Sequence, residues 1–448
     1  MSNSELSKII ESQKKYWLKN AQIPFCLLEN TSLFTQSKEG LCLVDLEIAD
    51  GKIATILAAG NHLEDSPQLD LKKGIVFPCF VDAHTHLDKG HIWERTPNPN
   101  STFDGALNAA RADAAQYWQA EDVYRRMEFG LKCSYAHGTK AIRTHIDSFG
   151  EQAEISFNVF QNLQKQWQNK LIMQGVCLVS LDYFQTCAGV ALADKIKNIK
   201  GILGCVLYVN PELDAQLDTI FSLATERNLD LDFHADENND PDSICLQRIA
   251  TAALRHKFTG KITCGHCCSL AVQSPEVVAK TLDLVKAANI SVISLPMCNL
   301  FLQDRQAGQT PFWRGVTLVH EFKEKGIPVA FASDNCRDPF YGFGDHDMWQ
   351  VMQQSVQIAH LNSPYTDWWN SFTKTAADLM GLPEVGRIGV GLPADLVLFK
   401  ARYFSELLSR SQHDRIVLRE GKAIDTTLPD YSELDDLVLV SKREDGLD

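Results

Sequence analysis

LDLDFHADENNDPDSICLQRIATAALRHKFTGKITCGHC, residues 229–267, decides the fold. It opens on a short apolar run, LDLDFHAD (229–236), passes through a helical stretch, Asp242–Phe258, and closes on a second short run, KITCGHC (261–267). Strand, helix and strand within a repeat of about 30 residues make one βα unit. Working outward, the same kind of run recurs. IVFPCFVDA starts at Ile75, KAIRTHID at Lys140, LIMQGVCLVS at Leu171 and GILGCVLYV at Gly201. ISVISLP starts at Ile290 and IPVAFASD at Ile327. Each is nearly apolar throughout, as a strand buried on both faces of a parallel sheet must be. Further helical stretches fall at Pro211–Asn228, Pro275–Asn289 and Pro311–Gly326. Pro275 suits a first helical turn and Gly326 a C-terminal cap. Eight units in order predict an α/β fold, a (β/α)8 TIM-like barrel over residues 76–385. An open doubly wound sheet would carry a Gly-rich phosphate turn after its first strand, and DAHTHLDKGH (82–91) is not one.

The flanks have another rhythm. Residues 23–75 include LCLVDLEIADGKIATIL, two alternating strands about the turn Asp50-Gly51-Lys52. Residues 386–428 include GRIGVGLPADLVLFK and DRIVLREGKAID, again strand-like with Gly turns. The two flanks are expected to pair into one small discontinuous β-sandwich domain. Residues 1–22 read as an amphipathic helical extension with Ile9, Ile10 and Trp17 on its apolar side, and residues 429–448 as a C-terminal tail whose last ten residues are charged and loose.

Composition narrows the classes. The chain has 448 residues, 45% of them hydrophobic, which is globular rather than disordered. Lys and Arg total 43 against 57 Asp and Glu, a net charge of −14. That balance disfavours nucleic acid or an anionic membrane as partner. No stretch reaches the roughly 7–15 apolar residues of a secretory h-region or the roughly 20 of a membrane span. The 13 cysteines, odd in number and scattered, are read as reduced thiols of a cytoplasmic protein, most of them small buried hydrophobes.

Chemistry in such a barrel sits at the C-terminal ends of the strands. Five of the 13 histidines fall there: His84, His86, His145, His234 and His266. Strand alternation points His84 and His86 to one face. They can grip one divalent ion, with His234 as a third nitrogen and Asp334 as a charged oxygen. Imidazole suits Zn²⁺ or Fe²⁺, and four ligands leave a position for water, as in catalytic sites. An HxH pair alone is weak; HxH, His and Asp each at a strand end is much stronger. Cys264 and Cys267 form a CxxC with no second pair, and the compact H-x-E…P-C-x-x-C deaminase signature is absent. Glu237, three residues past His234, is placed to carry protons between water, ring nitrogen and leaving amine. His266 can hydrogen-bond the water or a developing oxyanion, and Asp334 can accept from the nucleophile.

FVDAHTHLDK (80–89), RTHID (143–147), HADE (234–237), GHC (265–267) and ASDNCRDPFYGFGDHDM (332–348), taken in this order, resemble the amidohydrolase superfamily and its cytosine deaminase branch. GRIGVGLPADLVLF (386–399) and DGKIATI (50–56) resemble the superfamily's flanking β strands. HTHLDK and ASDNxRD are also similar to the branch hydrolysing N-isopropylammelide. The resemblance implies one metal ion, Fe²⁺ or Zn²⁺, on His84, His86, His234 and Asp334, with Glu237 as proton shuttle and His266 as electrostatic helper. It further implies a homo-oligomer. Three departures bear on the substrate. The branch has a pyrimidine-binding Gln where this chain has Val179-Ser180-Leu181-Asp182, a second Asp where it has Asn335, and Trp where it has Phe340. Changes in a pocket built to pair amide edges can switch substrate. Ser180, Asp182, Asn335, Phe340 and Lys89 are the substrate-binding candidates, with Arg337, Tyr341 and Phe343 beside them. His145 and Asp147 are read as supports that orient ligands.

The expectation is a metal-dependent deaminase acting on a small nitrogen heterocycle: cytosine, another aminopyrimidine or an aminotriazine. A cyclic amide or N-alkyl amide hydrolase on the same scaffold is the alternative. A non-catalytic binding protein of this fold would be expected to have lost ligands or Glu237, and all are present.

Overall fold

The eight runs become eight strands: β1 (Phe80–Thr85), β2 (Thr139–Asp147), β3 (Ile172–Leu178), β4 (Leu203–Val206), β5 (Leu231–Ala235), β6 (Ile262–His266), β7 (Ile290–Ser294) and β8 (Val329–Phe331). The computed structural model describes residues 14–29, 34–61, 67–306, 308–362, 364–365 and 367–438. Strands β4 to β8 form one parallel sheet in sequence order, and β1, β2 and β3 form another. Parallel bridges Val176↔Ile202 and Ser180↔Val206 join the β3 edge to the β4 edge. On the far side Thr85 bridges to Asp334, just past β8. Every residue of β5 and β6 is buried, which is why apolar residues fill both faces of these strands apart from the polar groups that pair inside the protein.

Helices Leu213–Arg227, Cys245–His256 and Pro275–Ala287 alternate with these strands. Their ends follow local chemistry. Ser274 caps the last of them, its hydroxyl accepting from the Val277 N–H, with Pro275 in the first turn. Asn228 and Lys257 close the other two in the left-handed conformation. The helix expected over Pro311–Gly326 is shorter, Val319–Glu324, though Gly326 (φ 69°) does follow its end. Upstream, the Asp304 carboxylate accepts from the N–H groups of Phe312 and Trp313, and Gly315 is left-handed. Those local bonds hold the chain off the helical path.

The chain divides into two compact units. One comprises residues 1–82, 133–141 and 347–428, the other 83–132, 142–346 and 429–448. In the first unit Lys15–Pro24 pairs antiparallel with Leu41–Ala49, which turns back as Lys52–Ala58. Asp50 (φ 49°) and Gly51 (φ 81°) make the tight turn. A second sheet joins Leu396–Leu398, Ile416–Arg419 and Lys422–Ala423 of the C-terminal flank to Val76–Pro78, just past the N-terminal flank. The unit takes in more than the flanks: Val76–Pro78 and the helices Met348–Ile358 and Lys374–Leu379 lie in it rather than with residues 83–346.

One expectation about the ends is corrected. Within the helix expected over 1–22, Lys15–Pro24 is a strand. Tyr16, Trp17 and Leu18 are buried in succession, which one face of a surface helix cannot provide, and the Tyr16 hydroxyl donates to the Gly421 carbonyl. Ile9 and Ile10 lie outside the described residues. In the tail, Tyr431–Leu434 and Asp435–Val438 form helical turns. They are tied down by Arg125–Asp436, Lys132–Glu433 and Tyr431–Asp345 contacts. Residues 439–448 lie outside the described residues.

Among the described residues no helix is long and apolar enough to cross a membrane. None of the thirteen cysteines forms a disulfide, and eleven of them are buried.

Candidate active site

The extended backbone of β1 turns His84 and His86 to the same side, and Asp334 comes to meet them from the end of β8. His84 Nε2 lies 3.6 Å and His86 Nε2 3.2 Å from Asp334 Oδ1. His234, from β5, places its Nε2 3.4 Å from that of His86. A tetrahedral ion with bonds of about 2.1 Å has ligand–ligand edges of about 3.4 Å. These three spacings match such edges; His84, His86 and His234 also fall, with His145, in one group of ligand atoms within 4.8 Å of one another, and His84 with His266 and Asp334 in another. The chemistry fits as well. Burial, followed by neighbouring positive charge, holds the three imidazoles well below the usual histidine range, so they are neutral donors. Both ring nitrogens of His84 and the Nδ1 atoms of His86 and His234 are buried without a hydrogen-bond partner. Gly265 on β6 makes room: a Cβ there would stand 2.9 Å from His84 Cε1.

The strand ends bend sharply at this point. Asp236, His266 and Asp334 all have positive φ (54°, 68° and 63°), uncommon for non-glycine residues and concentrated at functional sites. Asp236 uses its carboxylate to accept from Ser243 Oγ and the N–H groups of Cys245 and Leu246, capping the next helix. That anchors the segment carrying Glu237. Glu237 Oε1 lies 3.4 Å from His266 Nδ1. Burial, then the charge of Asp334, pushes the Glu237 carboxyl well above the ordinary range, with Lys89 acting the other way. His266 is pushed down to about 3, chiefly by burial.

His86, His234, Glu237, His266 and Asp334 line a cavity of about 640 Å³. Of the substrate candidates, Ser180, Asn335, Phe340 and Lys89 line it. Asp182 does not: it is exposed on the turn Leu181–Gln185, because that turn carries the chain away from the cavity. Lys89 Nζ donates to Asp147 Oδ1 at 2.8 Å and sits 5.4 Å from the Phe340 ring centroid. Burial lowers its pKa, but Asp147 and Asp88 outweigh that and keep it charged. Asn335 donates to Asp338, which fixes its amide at the cavity edge. Arg337, in contrast, pairs with Glu94 and stacks on Tyr431, while Tyr341 and Phe343 pack edge-on against Phe301. None of these three lines the cavity.

Sequence reasoning missed several participants. Asp232 accepts from Arg143 at 2.8 Å and lies 3.2 Å from His145 Nε2, fixing a ring that stands 3.9 Å from that of His84. Strand alternation could have found it, since Asp232 and His234 are two apart on β5. The Asn299 amide lies 3.0 Å from His266 Nδ1. Its only signal is an Asn inside the apolar run ISVISLPMCNLFL. The helix Phe103–Tyr117 supplies an entire wall through Phe103, Leu107, Ala110 and Ala114, and Phe340 packs against it. Tyr208 and Gln152 also line the cavity.

The fold and the histidine–aspartate site define a class, and the chain belongs to the amidohydrolase family. The family's profile matches residues 204–422. Particular relatives sharpen this. A pterin deaminase of Rhizobium rhizogenes is 49% identical over 426 residues, 95% of this chain and 97% of that one. An N-isopropylammelide isopropyl amidohydrolase of a Pseudomonas species is 26% identical over 351 residues, 75% of this chain and 82% of its own length. Among solved structures, 5-methylcytosine deaminase from Klebsiella pneumoniae superposes with a TM-score of 0.79 at 22% identity, covering 93% of this chain and 98% of that one. Guanine deaminase from C. acetobutylicum does so at 0.61 and 15%, covering 92% and 100%. At those identities the structures speak for the fold alone.

Proposed function

We propose that this chain is a metal-dependent hydrolytic deaminase of a nitrogen heterocycle, with an aminopteridine as substrate class. The observation that carries the reading is the convergence of His84, His86, His234 and Asp334 beside a buried Glu237, with His86, His234, Asp334 and Glu237 on the wall of a single cavity. The eight strands and their bridges support reading the scaffold as a (β/α)8 barrel whose strand ends carry the chemistry.

His84, His86, His234 and Asp334 would hold one Zn²⁺ or Fe²⁺. Such an ion lowers the pKa of a coordinated water from 15.7 toward about 7 and so supplies hydroxide near neutral pH. The chain's own residues do the rest. Glu237 takes a proton from the water as the oxygen adds to the ring carbon bearing the amino group. It delivers that proton to the adjacent ring nitrogen. The remaining hydroxyl proton then passes to the amino group as the carbon–nitrogen bond breaks, so ammonia leaves and a ring carbonyl remains. A carboxyl raised by burial suits both transfers. His266, fixed through Nδ1 by Asn299, is oriented to hydrogen-bond the developing oxyanion through Nε2.

Size and wall chemistry favour two fused rings over one. The cavity holds far more than a single pyrimidine, and Phe340, Phe103 and Tyr208 offer flat apolar surface. The 49% identity to a pterin deaminase over nearly the whole chain points the same way. Cytosine, the first expectation, becomes the competing substrate. Ammonia release would be followed with pterin, cytosine, guanine and N-isopropylammelide as substrates. The reading expects ammonia from pterin with the ring system intact. Isopropylamine as product, or a ring-opened acid, would move the chain to another reaction of the family.

A further inference from the structure

A second group of metal-ligating side chains lies among residues that the proposed chemistry does not use. His91, Cys336 and His346 are all buried, and one ligand atom from each lies within 4.8 Å of the others. His91 is 2% exposed, and neither of its ring nitrogens has a hydrogen-bond partner. A buried imidazole left unmet carries a desolvation cost, and a bound cation would remove it. The imidazoles of His91 and His346 have centroids 5.4 Å apart and planes inclined at 50°, an arrangement that lets both present nitrogen to a common point. His91 (φ 63°) and His346 (φ 52°) are both held in the left-handed conformation, and the His91 N–H donates to the Cys336 carbonyl at 3.1 Å. Gly130 leaves space for the cluster: a Cβ at that position would lie 2.9 Å from His346 Nε2.

We infer that His91, Cys336 and His346 form a second metal site, a thiolate–imidazole centre for a zinc-like divalent ion. The donor set decides the class of ion. One sulfur with two imidazoles selects zinc or another borderline-soft metal over magnesium or calcium, which prefer oxygen. Binding breaks the Cys336 S–H bond, forms a metal–sulfur bond and releases one proton to solvent. Asp345, whose charge acts on both His91 and Cys336, adds a negative field that favours a cation. The site would fasten two loops together. One runs from His86 through Lys89 to His91, the other from Asp334 through Asn335 and Phe340 to His346. Both carry cavity residues, so the second ion would act as a clamp on the cavity wall rather than as a catalyst.

Cobalt(II) is the probe, because only a thiolate ligand gives it an intense near-ultraviolet charge-transfer band, and the proposed catalytic site has no sulfur. The full chain would be stripped with chelator and titrated with Co²⁺. The band is expected to appear and to saturate at one thiolate-bound ion per chain. It should vanish in Cys336→Ser, lose most of its intensity in His91→Gln, and persist in His84→Ala, which alters the other site. Either of the first two variants suffices if the other fails to fold. No band in the parent chain, or an unchanged band in Cys336→Ser, would overturn the inference. A parent chain that shows the band yet releases no ammonia from any of the heterocycles would count against the catalytic reading and leave this one standing.

Discussion

Two buried polar clusters in the same compact unit are built on opposite rules. Arg95, Asp113, Asp122 and Arg126 form a closed ionic network. Arg95 makes paired hydrogen bonds to Asp113 at 2.8 Å and reaches Asp122 at 2.5 Å, and Arg126 returns to Asp122 at 2.7 Å. The Asp113 carboxylate also accepts from the Thr96 hydroxyl and the Trp118 indole N–H. At the strand ends, by contrast, His84 has no hydrogen-bond partner on either ring nitrogen. A buried charge is tolerated when matched within the chain. A buried imidazole left unmatched marks a position reserved for something the chain does not contain. The difference separates groups that hold the fold from groups that act on a ligand.

That contrast is broken or sharpened by substitution, beginning with the largest effect. Glu237→Gln should reduce kcat by about 10²–10⁴-fold with metal content and thermal stability unchanged, as read by ammonia release and elemental analysis. Undiminished turnover would remove Glu237 as proton carrier. Asp122→Ala should act the other way round. It takes away the carboxylate that Arg126 pairs with and one of the two that hold Arg95, and should destabilise by about 3–5 kcal/mol, seen as a large fall in Tm. A change under 1 kcal/mol would mean that the network is not a structural tie.

The same aspartate gives a pH signature. Burial pushes the Asp122 carboxyl up, but Arg126 and Arg95 outweigh it and leave its folded pKa below the ordinary value. Its contribution is present above the unfolded value near 3.9 and is lost as pH falls through the folded value. The Tm of the parent chain should therefore decline more steeply below about pH 4 than that of Asp122→Asn. Parallel declines would contradict this.

Gly265→Ala is an intermediate case, because the new methyl meets the His84 ring. Metal affinity should drop by roughly 10–100-fold, the scale seen when support for a ligand is disturbed, while the chain still folds. Equilibrium dialysis against Zn²⁺ would measure it. The smallest effect is expected at the exposed pair Lys325–Asp283, 2.6 Å apart. Asp283→Asn should change stability by no more than about 0.5 kcal/mol.

The legible parts of this molecule are those where one local rule dominates. All eight parallel strands could be read because each is buried on both faces, and Pro275 and Gly326 mark helix ends by backbone chemistry alone. Four of the five substrate candidates line the cavity because the C-terminal ends of the strands were known in advance to matter. The misses arise where distant partners decide. Lys15–Pro24 looks amphipathic in isolation, yet its pairing with Leu41–Ala49 makes it a strand. Asp182 is two residues from Ser180, but the turn between them points it to solvent. Asn299 and the wall Phe103–Tyr117 gain their roles only through groups that fold beside them, and no spacing within the sequence encodes that proximity.

The most direct test of the central claim is ammonia release from pterin by the chelator-stripped chain before and after Zn²⁺ or Fe²⁺ is returned. The account expects no release from the stripped chain and recovery on adding metal, with no recovery in a chain carrying His84→Ala and His86→Ala together. Full turnover by the stripped chain, or by the doubly substituted one, would contradict it.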